Sequence, residues 1–170
     1  MTVSGLSFAQ EAELATETIC QVVAQSDARQ PVRILEQAVI RAGEEIAASA
    51  QRDAVQFGMG TTCACAWVIG DQLYTASVGD SRIYLIRGGR IQQMTVDHTW
   101  VQEAIERKVL TPEDAREHPN VHVIRRYLGS PVPPEPDFRM KLFNDESDEH
   151  AENNQGMQLK PDDVVFLCSD

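Results

Sequence analysis

The stretch GMGTTCACAWVIGDQLYTASVGDSRIYLIRGGR, residues 58–90, determines the predicted fold. Small and apolar residues run without a break over 61–69, which predicts a strand that is covered on both faces. Gly70-Asp71 is a hairpin-type turn signal, and residues 72–78 alternate between two faces as a second strand does. These two segments therefore predict an antiparallel hairpin.

A second pair of strands follows in the same stretch. Gly79-Asp80-Ser81 interrupts the alternating pattern, and residues 82–87 form the third predicted strand. Gly88-Gly89 then turns the chain into a fourth strand over residues 90–94. This spacing predicts a meander of antiparallel strands that are joined by short turns.

Two amphipathic helices are predicted ahead of the strands. Apolar residues recur at helical spacing from Phe8 to Gln25, and Pro31 suits the first turn of a second helix that reaches about Asp53. The predicted buried stripe of the second helix is Leu35, Ala38, Val39, Ala42 and Ile46. Each helix needs an apolar surface to cover, so both should pack on one face of the sheet in an α+β fold.

The composition is that of a single soluble domain. The chain has 170 residues, of which 42% are hydrophobic and 24% charged, so it is long enough to bury a core. Its net charge of −11 disfavours nucleic acid or an anionic membrane as a partner, because like charges repel. No apolar run is long enough to span a membrane, and the N-terminus lacks the pattern of a secretory signal.

The cysteines lie in apolar segments at Cys20, Cys63, Cys65 and Cys168. Cys63 and Cys65 point to the same face of one predicted strand, which allows half of a zinc site. However, no second Cys or His pair stands at a suitable spacing. Small buried thiols in a reducing compartment are the favoured interpretation, which predicts a cytoplasmic protein.

Two short helices are predicted after the strands. Thr99 and Thr111 are their candidate N-caps, and Pro112 occupies the first position of the second helix. The apolar positions assigned to the first helix are Val101, Ala104, Ile105 and Val109.

Three further segments are predicted towards the end of the chain. Residues 138–143 suit a strand, and residues 164–168 are an apolar run typical of a fully buried strand. Between them, residues 144–155 carry five acids and neither Lys nor Arg. This acidic segment lacks the central glycine of a calcium-binding loop, so a solvated surface loop is favoured over a calcium site.

Three motifs in register resemble the metal-dependent protein phosphatases, the PPM or type 2C family. They are the G-x-G-T-T entry at 58–62, the V-G-D-S-R turn at 78–82 and the T-x-D-H segment at 95–98. The resemblance implies an αββα sandwich of antiparallel sheets flanked by helices. It also implies hydrolysis of phosphoserine and phosphothreonine by a metal-activated water, with Mn²⁺ or Mg²⁺ as cofactor. The complete family domain holds two ions, and many bacterial members bind a third.

Two aspartates take metal roles by this resemblance. Asp170 closes a buried apolar strand and matches a ligand of the two catalytic metals, and Asp97 matches a ligand of the third. From the residues alone, Asp97 could equally be a turn residue and Asp170 a chain end without function. No other catalytic residue is identified, since the family needs no nucleophilic Ser or Cys. His98 and His118 are predicted to be structural or surface residues and not general acids, within or beside a flap-like segment at 100–129.

The resemblance corresponds to the middle of the family domain. The family's Asp-Gly-x-Gly-Gly segment would precede Met1, and its Asp-Asn segment would follow Asp170. Residues 1–170 are therefore expected to be a single partial domain, truncated at both ends and incomplete for catalysis. Exposed sheet edges and a stability below that of a complete domain are expected as well.

The implied partner is a phosphorylated protein, on which the enzyme would oppose a serine/threonine kinase. The alternative is a non-catalytic regulatory or binding module that kept the same scaffold. An unrelated protein of helices and a sheet is a third possibility, if the three matched segments coincide by chance.

Overall fold

A computed structural model of the chain describes residues 8–50 and 60–169, and for residues 8 and 9 only the backbone. The helices are α1 (Phe8–Ala24), α2 (Pro31–Ala50), α3 (Trp100–Glu106), α4 (Pro112–Arg116) and α5 (Asp148–Asn153). The strands are β1 (Cys63–Ile69), β2 (Gln72–Val78), β3 (Arg82–Arg87), β4 (Arg90–Gln93), β5 (Met157–Gln158) and β6 (Val164–Cys168).

The strands form two antiparallel sheets that stack on a pair of helices. One sheet has the order β1-β2-β5 and the other the order β4-β3-β6. Helices α1 and α2 cover the first sheet, where Leu35, Val39 and Val78 belong to one buried cluster. A second cluster, with Leu73, Ile83 and Met94, brings side chains of the two sheets together. The predicted α+β sandwich of antiparallel sheets is confirmed.

The predicted meander is divided between the two sheets. Strand β2 pairs with β1 and β5, whereas β3 pairs with β4 and β6, so the consecutive strands β2 and β3 do not pair. The chain crosses from one sheet to the other at Gly79, whose φ is +104°. This arrangement buries the apolar faces of both hairpins against each other, which a single flat meander could not do.

The helix predictions hold closely within the described residues, whereas the predicted end of the second helix at about Asp53 lies outside them. The whole predicted stripe of α2 is buried, and the predicted caps accept hydrogen bonds at Thr99 (3.3 Å from Gln102 N) and Thr111 (3.1 Å from Asp114 N). Val109 is an exception, because α3 ends three residues earlier and leaves this side chain 70% exposed.

The predicted strand at 138–143 is wrong, although the segment is well ordered by other contacts. Only the residue before it, Asp137, forms an isolated bridge, with Ser77 of β2. The carbonyl of Phe138 accepts from the Gln155 amide at 2.8 Å, and that of Met140 accepts from Asn154 at 2.9 Å. Side chains therefore take the place of a partner strand.

The acidic segment 144–155 is not a solvated loop throughout, because it contains α5. Ser147 caps this helix, and Ala151 on it is fully buried. Asp148 pairs at 2.9 Å with both Arg139 and Lys141. The compensating cations come from the preceding segment, which explains why the composition of the acidic segment alone was misleading.

Strand β6 is confirmed as a strand, but the prediction that it is fully buried is wrong. Val164, Phe166 and Leu167 are 51%, 50% and 43% exposed. In the described part of the chain, β6 has one neighbour, β3, and lies at the edge of its sheet. The apolar run therefore predicted the strand correctly but not the burial of its side chains. The expectation of an exposed sheet edge is met at β6.

Candidate functional site

Asp97 lies just after β4, with its carboxylate directed at the start of β3. Arg82 Nε donates to both carboxylate oxygens at 3.0 Å, and Gln93 donates to Oδ1 at 2.9 Å. The Asp97 side chain is 13% exposed and that of Arg82 43%. Hydrogen bonding to Asp97 raises the pKa of Arg82, so the guanidinium stays ionised. Asp97 is thereby held in one orientation.

The Asp97 carboxylate also borders an open groove of about 880 Å³. The groove lies between the α3–α4 segment and the second sheet, and its lining includes Arg116 and Lys141. A carboxylate offers about four acceptor positions, and Arg82 and Gln93 together donate four hydrogen bonds to the two oxygens of Asp97. A hard cation such as Mn²⁺ or Mg²⁺ would therefore have to displace one of these donors to reach an Asp97 oxygen.

The second predicted ligand, Asp170, lies outside the described residues. Over residues 8–50 and 60–169, no three side chains of His, Cys, Asp or Glu are grouped so that they could hold a metal ion. The structure therefore shows the orientation of Asp97 only, and the metal roles of both residues stay predictions.

A buried network adjoins Asp97 through the next residue, His98. Gly79 N donates to His98 Nδ1 at 3.0 Å, and His98 Nε2 lies 3.0 Å from Asp137 Oδ2. Because Nδ1 accepts a hydrogen bond, the ring proton must sit on Nε2, which donates to Asp137. The imidazole has no ring nitrogen left for proton transfer, in agreement with its predicted structural role.

Arg139 completes this network by pairing with Asp137 at 2.6 Å. Burial alone would raise the pKa of Asp137, but hydrogen bonds from His98 and Arg139 outweigh it and hold that pKa well below its usual range. The sequence analysis missed both residues. The only available signal was an acid and a base two positions apart in an extended segment, which places them on one face.

The flap-like segment 100–129 is anchored close to Asp97 at its base. Trp100 N donates to Val123 O at 2.9 Å, and Arg125 N donates to His98 O at 2.7 Å. The Trp100 ring also stacks on His118, with the ring centroids 4.6 Å apart. These anchors place the segment beside the groove, whose lining includes its residues Gln102 and Arg116.

All four cysteines line one cleft of about 470 Å³ between α1, β1 and β6. Cys20 is exposed and Cys65 and Cys168 are half-buried, so the prediction of buried thiols is wrong for Cys20 and holds fully only for Cys63. Burial raises the pKa of Cys63 to about 12 and that of Cys65 to about 11. These two thiols are therefore protonated and slow to react near neutral pH.

We expect iodoacetamide at pH 8 to label Cys20 first and Cys63 last in the folded chain. The physical reason is that alkylation needs an accessible thiolate: Cys20 is exposed, whereas burial shields Cys63 and raises the pKa of its thiol. Peptide mass spectrometry over a time course measures the order. Labelling in urea is the control and should remove the difference, whereas equal rates in the folded chain would contradict the described burial.

Comparisons with known proteins agree with the motifs. A family model described as protein phosphatase 2C matches residues 2–108. The chain is 41% identical over 87 residues to protein phosphatase PhpP of Streptococcus pneumoniae, covering 51% of this chain and 35% of PhpP. It is 35% identical over 127 residues to the serine/threonine protein phosphatase PstP of Mycobacterium tuberculosis, covering 72% of this chain and 25% of PstP.

Solved structures show the same relationship. The crystal structure of M. tuberculosis PstP superimposes with a TM-score of 0.72 at 29% identity, over 98% of this chain and 65% of that chain. The catalytic domain of PstP in complex with two manganese ions gives a TM-score of 0.69 at 27% identity, over 94% and 60%. The chain thus spans between a quarter and two thirds of the length of these four matched proteins and domains.

No helix within the described ranges is both long and apolar enough to cross a membrane.

Proposed function

Because this chain belongs to the protein phosphatase 2C family, we propose that it supplies the central part of a metal-dependent serine/threonine protein phosphatase domain. The observation that carries the proposal is the orientation of Asp97. Its carboxylate is held by Arg82 of the V-G-D-S-R motif at one edge of a polar groove. A related catalytic domain, that of PstP, is solved with two manganese ions.

In this proposal, Asp97 and Asp170 are metal ligands, and Mn²⁺ or Mg²⁺ is the cofactor. When bound, such ions lower the pKa of a coordinated water and stabilise the charge on a phosphoryl group. Asp97 would contribute one anionic oxygen in place of one of the hydrogen bonds that it accepts from Arg82 and Gln93. His98 takes no part in proton transfer, because both its ring nitrogens are engaged within the protein.

We propose a phosphorylated protein as the substrate, on which the complete enzyme would oppose a serine/threonine kinase. The groove at Asp97 supports this, because it is open, polar and lined by Arg116. Arg116 is exposed and makes no ion pair with any other residue that the structure describes. It could therefore meet a phosphate or an acidic side chain. A cytoplasmic location is part of the same proposal.

The test is hydrolysis of a small aryl phosphate, with Mn²⁺, with Mg²⁺ and with EDTA. The chain would be assayed alone and in a chimaera in which PstP supplies the segments of its catalytic domain that this chain does not span. We expect metal-dependent turnover by the chimaera and none by the folded chain alone. Asp170→Ala should lower turnover at least about 100-fold, because a missing carboxylate weakens metal binding.

Glu36→Gln, an exposed position on α2, is the matched control that should leave turnover unchanged. Turnover that survives EDTA or the loss of Asp170 would contradict the proposal. Turnover by the chain alone would instead show that these residues assemble a site without further segments.

A non-catalytic module is the second candidate. One observation supports this alternative, namely the hydrogen bonds that Asp97 accepts. Its carboxylate already accepts hydrogen bonds from two side chains, which suits a purely structural residue. Under this alternative, the chimaera would fold without turnover and Mn²⁺ would not bind near Asp97.

A further inference from the structure

We propose that an open groove at the tip of the β3–β4 hairpin binds a short, extended and acidic segment of a partner protein, anchored by an apolar side chain. This hairpin groove has a volume of about 740 Å³. It shares Gln92 and Phe143 with the groove beside Asp97, so the two grooves adjoin. The inference does not depend on the proposed function, because neither a metal ion nor turnover takes part in the binding.

Four apolar side chains line the hairpin groove. Leu85 is 5% exposed and belongs to the buried cluster between the two sheets, and Leu142 packs against the same cluster. Ile91 and Phe143 line the groove as well, and each is 70% exposed. An apolar side chain of a partner would therefore remove two large apolar side chains from water at one place.

The segment that carries Phe143 is held beside β4 by hydrogen bonds on both sides of this residue. Before it, Lys141 N donates to Met94 O at 2.9 Å. After it, Asn144 Oδ1 accepts from Gln92 Nε2 at 3.3 Å. The hairpin groove is therefore preformed, which lowers the entropic cost of binding a partner.

The charge of the hairpin groove favours an acidic partner. Arg87 and Arg90 line it, and none of the described residues in its lining is Asp or Glu. Arg87 is compensated by Asp163 at 2.6 Å, whereas Arg90 is exposed and has no ion pair in the described part of the chain. Because the whole chain has a net charge of −11, this uncompensated arginine is a local exception, and a carboxylate complements it.

The open edge of β4 favours an extended segment over a helix. In the sheet order β4-β3-β6, β4 is a terminal strand. Arg87 and Arg90 close the two-residue turn as a hydrogen-bonded pair, so the N–H and C=O of Ile91 in the next pair point away from β3. Neither group has a hydrogen-bond partner among the described residues. An extended chain offers an acceptor and a donor to such an edge, whereas a helix has used its own.

The experiment measures binding of a fluorescein-labelled peptide, Glu-Glu-Phe-Glu-Leu-Glu-Glu, to the 170-residue chain by fluorescence anisotropy. A second peptide has Lys in place of every Glu, and the salt concentration is about 0.15 M, which screens distant charges. The variants are Arg90→Glu and Phe143→Ser, both at exposed positions, and circular dichroism checks that each is folded. The matched controls are Arg33→Glu, exposed on α2, and Val132→Ser, 72% exposed and outside the groove lining.

We expect the wild type to bind the acidic peptide, with a Kd at least about tenfold higher for Arg90→Glu and for Phe143→Ser. Arg90→Glu should also bind the Lys peptide more tightly than the wild type does, because reversing the charge of the groove reverses its complementarity. Arg33→Glu and Val132→Ser should keep the Kd for the acidic peptide within about threefold of the wild type.

Three results would overturn the inference. The first is that the acidic peptide shows no saturable binding to the wild type up to about 1 mM. The second is binding that both groove variants retain, which would place the peptide elsewhere on the chain. The third is a dimer in analytical ultracentrifugation that Phe143→Ser abolishes, because a second copy of the chain would then cover the groove. Turnover by the chimaera tests the proposed function separately from all three.

Discussion

Gly79→Ala should destabilise the protein by about 3–5 kcal/mol, the combined cost of backbone strain and overpacking. The φ of Gly79, +104°, lies where residues with a Cβ rarely occur. A Cβ at this position would also lie 2.4 Å from Thr62 Cγ2 and 2.7 Å from Thr62 Cβ. Neither atom belongs to a long flexible side chain, so the strand end or the crossing turn must move.

The matched control is Gly88→Ala, in the turn between β3 and β4. Its φ is +57°, and a Cβ there would meet nothing within 4 Å. It should therefore cost only the backbone strain of about 1–2 kcal/mol. Urea unfolding followed by circular dichroism measures both variants. Equal losses of unfolding free energy in the two variants would show that contact with Thr62 does not contribute to the effect at Gly79.

Asp137→Ala should cost about 3–5 kcal/mol of unfolding free energy at pH 7, because it leaves a buried cation without its partner. Arg139 would keep Glu106 at 3.4 Å and Asp148 at 2.9 Å, both of which are more exposed than Asp137. His98 Nε2–H would lose its acceptor within the core. Asp27→Ala, which removes the exposed pair with Arg29, is the control and should cost less than about 1 kcal/mol.

The same substitution predicts a dependence on pH with a definite sign. The pKa of Asp137 is lower in the folded chain than in the unfolded chain. Its contribution is therefore complete above the unfolded pKa of about 3.9 and is lost as the pH falls below that value. Between pH 4 and pH 2, the free energy of unfolding should fall more for the wild type than for Asp137→Ala. The difference in this free energy between the two proteins should therefore shrink. A constant difference over that range would contradict the assignment.

The local structure was predictable because short-range patterns encode it. Helical periodicity gave the buried stripe of α2, and the signal at Gly70-Asp71 gave the first hairpin. Thr99 and Thr111 cap helices because a hydroxyl beside a helix start serves the same purpose in any fold. Each of these predictions depends on residues within a few positions of one another.

What the sequence could not predict depends on contacts between distant residues. Nothing in the turn at Gly79 specifies that β2 and β3 belong to different sheets. The His98–Asp137 pair joins positions 39 residues apart, and Gln155 replaces a strand partner for Thr75 from 80 residues away. Asp97 was found through its motif, whereas its hydrogen bonds with Arg82 and Gln93 required the three-dimensional arrangement.

The division of the meander between two sheets also determines the order in which the chain can gain structure. The hairpins β1–β2 and β3–β4 close over two-residue turns at 70–71 and 88–89, so they need little loop-closure entropy and can form within microseconds. By contrast, β5 joins β2 and β6 joins β3 only across roughly eighty residues of intervening chain. Each sheet thus consists of an early local pair and a late distant strand. Among the described strands, β5 and β6 therefore make the pairings whose formation loop-closure entropy opposes most.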